Sequence, residues 1–218
     1  MTRAPWECDY RRPPRWSVYV VALLWVGGAV AAFAVLSSAG AVPGRSLASP
    51  SQWPTQDVIR RSSGEETAVV FLHPKCPCSR ATIRELERAL AERERPLDLH
   101  VVLVAPTAEM DRWRDSEFVA AARRLPNSTL HWDDGSLAKL FGAETSGHVA
   151  LYDADGRLQL TGGVTPSRGH EGLNTGAQAV ARDERPQPTT PTRTPVFGCP
   201  LKDENQATPD VANDREAQ

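Results

Sequence analysis

Two cysteines stand one residue apart, Cys76 and Cys78, with Pro77 between them. Paired thiols at this spacing can do two kinds of chemistry. One thiolate can attack a disulfide while the other resolves the mixed intermediate, or both can hold a soft metal ion. Basic neighbours favour reactivity: His73, Lys75 and Arg80 flank the pair, and positive charge beside a thiol increases its thiolate fraction. Proline suits the first position of a helix, where its missing N–H leaves nothing unsatisfied. That reading puts Cys76 at the N-cap, facing free backbone N–H groups and the positive end of the helix dipole. Cys76 is the expected nucleophile and Cys78 the expected resolving thiol, with His73, Pro77 and Arg80 in support. A bridge between residues i and i+2 closes a small ring, and strain makes a disulfide easier to reduce. The pair is expected to act as an oxidant or isomerase rather than as a reductant.

Such a pair needs a strand to end, and a helix to begin, where it stands. Ala68 to Leu72 is a continuous apolar run, the pattern of a strand buried on both faces. The following stretch predicts a helix to about Glu94, with Ile83, Leu86 and Leu90 on one face. Residues 98–105 predict a second buried strand, ended by Pro106. Residues 109–124 predict one helix with Trp113, Phe118 and Val119 inward. A short strand is expected at 128–132, then a brief helix capped by Ser136 and ended by Gly142. Residues 148–152 and 157–161 flank Asp153-Ala154-Asp155-Gly156, a hairpin turn signal. That turn lacks the remaining ligands of a calcium loop, including its twelfth-position Glu. A last helix is expected over 170–183. The order predicts a mixed α/β sheet with helices on its faces.

This order, with cysteines at the first strand–helix junction, resembles the thioredoxin fold over roughly residues 55–183. Phe71 stands five residues before Cys76, as an aromatic residue commonly does in thioredoxins. Leu151 to Leu158 (LYDADGRL) looks like their closing hairpin. The segments HPKCPCSRA, SRGHEGLNTG and FGCPL are similar to membrane-anchored bacterial thioredoxin-like proteins of the RedB type. The resemblance implies a thioredoxin-like mixed sheet flanked by helices behind an N-terminal transmembrane helix. It also implies thiol–disulfide oxidoreductase activity on protein thiols or disulfides, without a cofactor. Three features depart from it. The usual Cys-x-x-Cys is Cys-x-Cys, Lys75 replaces the customary Trp, and the proline before the hairpin gives way to Thr145-Ser146-Gly147-His148. With Gly147 in the proline's place, His148 is brought toward the cysteines. Copper chaperones of the Sco type use this fold with two cysteines and a distant histidine, so the resemblance implies an alternative: copper held by Cys76, Cys78 and His148. A non-catalytic binding domain on the same fold is a third reading. His148 also reads as a half-exposed residue at a strand start. Gly147, His148, Arg168 and His170 form the expected substrate rim, although Arg168 and His170 also fit a plain helix-entry loop.

The two ends lie outside that domain. Residues 16–44 carry no charge, and Ser17 to Leu36 forms a helix of about 30 Å, the thickness of a bilayer core. Residues 1–16 then form a cytoplasmic N-terminus and 17–36 a transmembrane helix. Trp16 and Tyr19 suit the interface, and Arg3, Arg11, Arg12 and Arg15 precede the span whereas Arg45 alone follows closely. The positive-inside rule puts the domain on the far side of a bacterial inner membrane, in the periplasm or its equivalent. Ala39-Gly40-Ala41 also allows cleavage after Ala41. Cys8 is expected to be a cytoplasmic bystander. Residues 37–66 read as a linker, with Trp53, Val58 and Ile59 docking as a short helix. Residues 67–183 form the domain. Residues 184–218 read as a proline-rich, mostly disordered tail with an apolar docking island at 196–201. Cys199 in that island is a possible third thiol, third metal ligand or simple packing residue. A net charge of −2 offers nothing to nucleic acid, and four cysteines are too few for a disulfide scaffold.

Overall fold

A computed structural model describes residues 14–55, 59–62, 64–183 and 190–202. It divides into two units, Met1–Gly40 and Ala41–Gln218. Cys8, Arg3, Arg11, Arg12 and Val58 lie outside the described residues. The first unit contains helix α1, Arg15–Gly40, of 26 residues. At 1.5 Å per residue it is about 39 Å long. Its stretch Arg15–Ser38 is long and apolar enough to cross a membrane. Leu23, Trp25 and Phe33 on it are exposed.

The second unit is built on a sheet. Strand β1 (Thr67–Leu72) is followed by α2 (Ser79–Ala91), β2 (Asp98–Val104), α3 (Thr107–Trp113), α4 (Glu117–Arg123) and β3 (Ser128–Asp133). Then come α5 (Ser136–Leu140), β4 (His148–Tyr152), β5 (Leu158–Gly163), α6 (Thr175–Ala181) and β6 (Thr192–Arg193). The strand order is β3-β2-β1-β4-β5-β6. β1, β2 and β3 run parallel, β4 is antiparallel to β1 and to β5, and β6 is parallel to β5. The continuous apolar runs follow from cover on both faces. Ala68, Val70 and Leu72 pack with Ile83, Leu86, Phe118, Val119 and Val180. Val69 and Phe71 pack with Leu137, Ala138 and Phe141 on the other face. Phe71, wholly buried, contributes about 2 kcal/mol by leaving water.

Several expected elements differ. The single helix over 109–124 is two, because Ser116 starts α4 by accepting a hydrogen bond from Val119 N on its hydroxyl. Trp113, expected inward, sits half-buried at the end of α3 under the Lys75 ammonium, 5.8 Å from the ring centre. The brief α5 is capped by Asp133, whose carboxylate accepts from Leu137 N and Ala138 N at 3.0 Å each. The last helix begins only at Thr175, which leaves 166–174 as a loop.

The expected linker differs most, whereas the island at 196–201 in the tail is buried as a docking segment would be. Residues 44–53 lie on the domain: Leu47 N donates to Gly142 O (2.9 Å), Trp53 N to Gly156 O (2.8 Å), and Leu158 N to Ser51 O (3.0 Å). Trp53 packs edge-on to Tyr152 and Phe141, with ring centres 5.2 and 5.5 Å apart. Ile59 is buried beside it, and the described residues around both carry no helix. In the tail, residues 190–202 supply β6 and bury Val196, Phe197 and Leu201. The two segments meet where Gly44 N donates to Val196 O at 2.7 Å.

Candidate functional site: three thiols at the end of β1

β1 ends at Leu72 and the chain turns back on itself. Cys76 N donates to His73 O (3.0 Å) and Ser79 N donates to Cys76 O (3.1 Å). Helix α2 begins at Ser79, with Cys78 in the capping position and already in right-handed helical conformation. The expected N-cap at Cys76 is therefore two residues early, and Pro77 lies in the turn before the helix. Two serines fix this turn. Ser146 Oγ accepts from His73 N (2.8 Å) and lies 2.7 Å from Ser79 Oγ, while Ser79 Oγ also approaches His73 O at 3.2 Å.

Cys76, Cys78 and Cys199 are all free thiols. Cys76 is buried, 3% exposed, and the other two are half-buried. Backbone N–H of Cys199 points at Cys76 Sγ, 3.4 Å away. Burial pushes the Cys76 thiol up, but the N–H and thiol of Cys199, the Ser79 hydroxyl and the Cys78 N–H outweigh it, and the net shift is down. Cys78 moves the other way: burial raises it, and so do the charge of Cys76 and the hydrogen bond to it. Cys199 is pushed up to about 12 by burial, by hydrogen bonding to Cys76 and by the charges of both other thiols. The positive charge that opposes these rises at Cys78 and Cys199 belongs to Arg168. The arrangement favours the thiolate at Cys76 and disfavours it at the two thiols beside it.

The expected supporting residues fall in different places. His73 accepts from Lys75 N on Nδ1 at 3.1 Å within the turn. Lys75 pairs with Glu109 at 2.7 Å. Arg80 is exposed and lines a groove between α2 and α4 with Arg84, Phe118 and Arg124. Arg168 donates to Gly198 O. Gly169 stands beside Cys78: a Cβ on it would make an ordinary contact of 3.9 Å with Cys78 Sγ. His170 is exposed, with Nδ1 2.8 Å from Arg168 O. This loop is tied to α2 through Gly172 N to Glu85 Oε1 (2.7 Å) and Glu171 to Arg84 (2.7 Å).

Gly147 replaces the expected proline for a visible reason. Its φ is +97° and its N–H donates to Phe71 O at 2.8 Å. Proline can do neither. No cis peptide bond occurs among the described residues. His148 is fully buried, so the half-exposed reading is wrong. Its Nε2 lies 3.1 Å from both Ser49 Oγ and Thr161 Oγ1, which are 2.7 Å from each other. Burial holds its pKa down, at about 4. It anchors the 44–53 segment to the sheet instead of turning to the thiols. Among the described residues no three His, Cys, Asp or Glu side chains are grouped to hold a metal ion. The residues present do not fit a copper site made of Cys76, Cys78 and His148.

Sequence reasoning missed Ser79, Ser146, Ser49 and Thr161. Serine and threonine are common, and only a buried partner distinguishes these four. Beside the tail lies a cavity of about 460 Å³ lined by Leu47, Ala138 and Leu201 and by Arg45, Lys139 and Lys202.

No family model matches the chain, and no curated protein matches it. Solved structures do resemble it. An uncharacterized conserved protein from Geobacillus kaustophilus aligns over 77% of this chain and 95% of its own, at 19% identity and TM-score 0.51. A hypothetical protein from Sinorhizobium meliloti aligns over 64% and 80%, at 21% identity and TM-score 0.47. The exposed lipoprotein thioredoxin of Streptococcus pneumoniae aligns over 54% and 82%, at 17% identity and TM-score 0.38. At these identities the likeness concerns fold and not activity. The parallel β3-β2-β1 half, the antiparallel β4-β5 hairpin and the cysteines between β1 and α2 give this chain a thioredoxin-like fold.

Proposed function

We propose that the chain is a thiol–disulfide oxidoreductase that acts on protein thiols or disulfides, held at a membrane by α1. The observation that carries this reading is the lowered Cys76 thiol between two raised ones. In the reducing direction the Cys76 thiolate attacks one sulfur of a substrate disulfide. The substrate S–S bond breaks, one sulfur leaves as thiolate and takes up a proton, and a mixed disulfide forms. Cys78 then loses its proton and attacks Cys76 Sγ, the second substrate sulfur leaves, and a Cys76–Cys78 bridge remains. Two electrons have passed from the chain to the substrate. Run backward, the same steps oxidise a substrate dithiol. Closing that bridge strains the turn that holds Ser79 N against Cys76 O, which favours the oxidising direction.

The raised pKa of Cys78 is relieved in part at its step, since burial, its first cause, stays in place. Its second and third causes are the charge of Cys76 and the hydrogen bond to it, and both vanish once Cys76 is in a mixed disulfide. Arg168 then favours the Cys78 thiolate. The domain works outside the cytoplasm, where disulfides persist, with the arginine-rich N-terminus inside. The test is exchange between the reduced full chain, in detergent, and a disulfide-bonded peptide. Cys76→Ser should abolish exchange. A Cys76→Ser chain that exchanges like the unaltered one would overturn the assignment.

A further inference from the structure

The segment carrying Cys199 is a built part of the site. It is anchored on both sides of the cysteine by buried side chains, Val196 and Phe197 before it and Leu201 after it. Its backbone pairs with the loop before β4: Ser146 N donates to Cys199 O and Leu201 N to Glu144 O, both at 2.9 Å. Gly198 makes the approach possible, since a Cβ there would stand 2.0 Å from Ser146 O. Arg168 clamps the Gly198 carbonyl from the other side. Together these contacts set Cys199 N–H on Cys76 Sγ at 3.4 Å, which brings the two cysteines side by side. A tail cysteine with only a packing role needs none of this alignment.

We infer that Cys199 is a second resolving thiol for Cys76, so that oxidation also closes a Cys76–Cys199 disulfide and locks the tail across the nucleophile. The inference rests on Cys76 being the nucleophile. From the mixed disulfide, the Cys199 thiol gives up its proton to solvent and attacks Cys76 Sγ. The bond between Cys76 and the substrate sulfur breaks, and the substrate leaves as a thiolate. The chain has lost two electrons and the substrate disulfide has gained them. An external dithiol reopens the bridge. Geometry favours this route over the Cys78 route at one point. Cys76, Pro77, Cys78 and Ser79 form a tight turn closed by Ser79 N donating to Cys76 O, and a bridge between Cys76 and Cys78 closes a small ring inside it. Bridging Cys76 to Cys78 opens that turn, whereas Cys199 approaches from a separate segment and leaves α2 intact. Holding the thiol at the site also gives it a high effective concentration.

The test uses the full chain carrying Cys8→Ser, reduced and then treated with one equivalent of an aromatic disulfide whose released thiolate is coloured. Attack by Cys76 releases one equivalent, and resolution releases the second. With Cys78→Ser added, two equivalents should still appear, and peptide mapping should find Cys76 joined to Cys199. With Cys199→Ser added to that, release should halve to one equivalent and the aromatic thiol should stay on Cys76. Mapping the oxidised Cys8→Ser chain needs no change in the tail and should also yield some Cys76–Cys199 product. One equivalent from the Cys78→Ser chain, with no Cys76–Cys199 peptide in either chain, would overturn the inference and leave Cys76 as nucleophile. No release from any of them would overturn both.

Discussion

Acidification should weaken this domain by protonating buried histidines, His148 foremost. The imidazole is fully buried between Ser49 and Thr161 and is held neutral, with its pKa lowered from 6.5 to about 4. The unfolded chain binds a proton near 6.5, so between these values the unfolded state carries more protons than the folded one. Stability then falls as pH falls, beginning near 6.5 and ending near 4, and is fully present above 6.5. A difference of about 2.5 pK units at 1.36 kcal/mol each amounts to about 3 kcal/mol. That is a large share of the 5–15 kcal/mol that holds a typical domain together. His100 and His131, whose rings lie against each other on β2 and β3 with Nδ1 and Nε2 3.0 Å apart, are also lowered by burial and add to the slope. Urea midpoints of the full chain in detergent, measured from pH 8 to pH 4, give the total. The same series on His148→Gln isolates the share of His148, because glutamine can still meet both hydroxyls but does not titrate. The stability of the unaltered chain relative to the variant should fall by about 3 kcal/mol as pH falls through this window. Parallel curves would refute the assignment of the burial cost to His148.

Three further outcomes follow from the site. Ser79→Ala removes a donor from Cys76 and the link to Ser146; it should raise the Cys76 pKa, read from thiolate absorbance against pH, and cost about 1 kcal/mol in a urea melt. Arg168→Met removes the charge that opposes the raised pKa values of Cys78 and Cys199; mixed disulfides should then persist longer at neutral pH, seen by quenching with acid and weighing the adducts. Gly147→Pro, which restores the residue expected of the fold, should destabilise the domain by about 3 kcal/mol or more, because φ is +97° there and the N–H is bonded to Phe71 O; an unchanged melt would mean the loop can be rebuilt around a proline.

Much of the sheet was legible because its strands are buried on both faces. β1 shows this as an unbroken apolar run and β2 as a run interrupted by His100, while Asp153 and Gly156 mark the β4–β5 turn. What could not be read was structure made by backbone alone. Residues 44–53 look like a polar linker because Leu47, Ser51 and Trp53 are held by main-chain hydrogen bonds, which do not depend on side-chain type. β6 is two residues, Thr192 and Arg193, and has no apolar signature. Ser49 stands in a Pro- and Ser-rich stretch, and its burial is evident only once His148 is known to turn inward. The helix start was misplaced because Pro77 fits both a first helical position and a turn. The two are separated by Ser146, 67 residues from Ser79. Cys76 and Cys78 stood out by spacing, whereas the placement of Cys199 required the fold.

That distance has a chemical consequence. In the usual argument a helix N-terminus activates a thiol locally, and the whole device is then a short motif. Here α2 starts beyond Cys78, and the donors that outweigh burial at Cys76 are led by the N–H and thiol of Cys199. The proposed nucleophile is therefore contacted by a segment 123 residues away that lowers its pKa, and that segment in turn lies against the Thr145–Ser146 loop and Gly44. A chain whose tail is undocked keeps Cys76 and Cys78 but loses the first two donors to the thiolate. Gly198→Ala tests this without touching a thiol, since its Cβ would meet Ser146 O at 2.0 Å. It should raise the Cys76 pKa and slow attack on a disulfide at neutral pH, with the rate recovering as pH is raised. A Cys76 pKa unchanged in Gly198→Ala, with the tail shown to be displaced by its susceptibility to protease, would mean that the turn from His73 to Ser79 activates the thiol unaided.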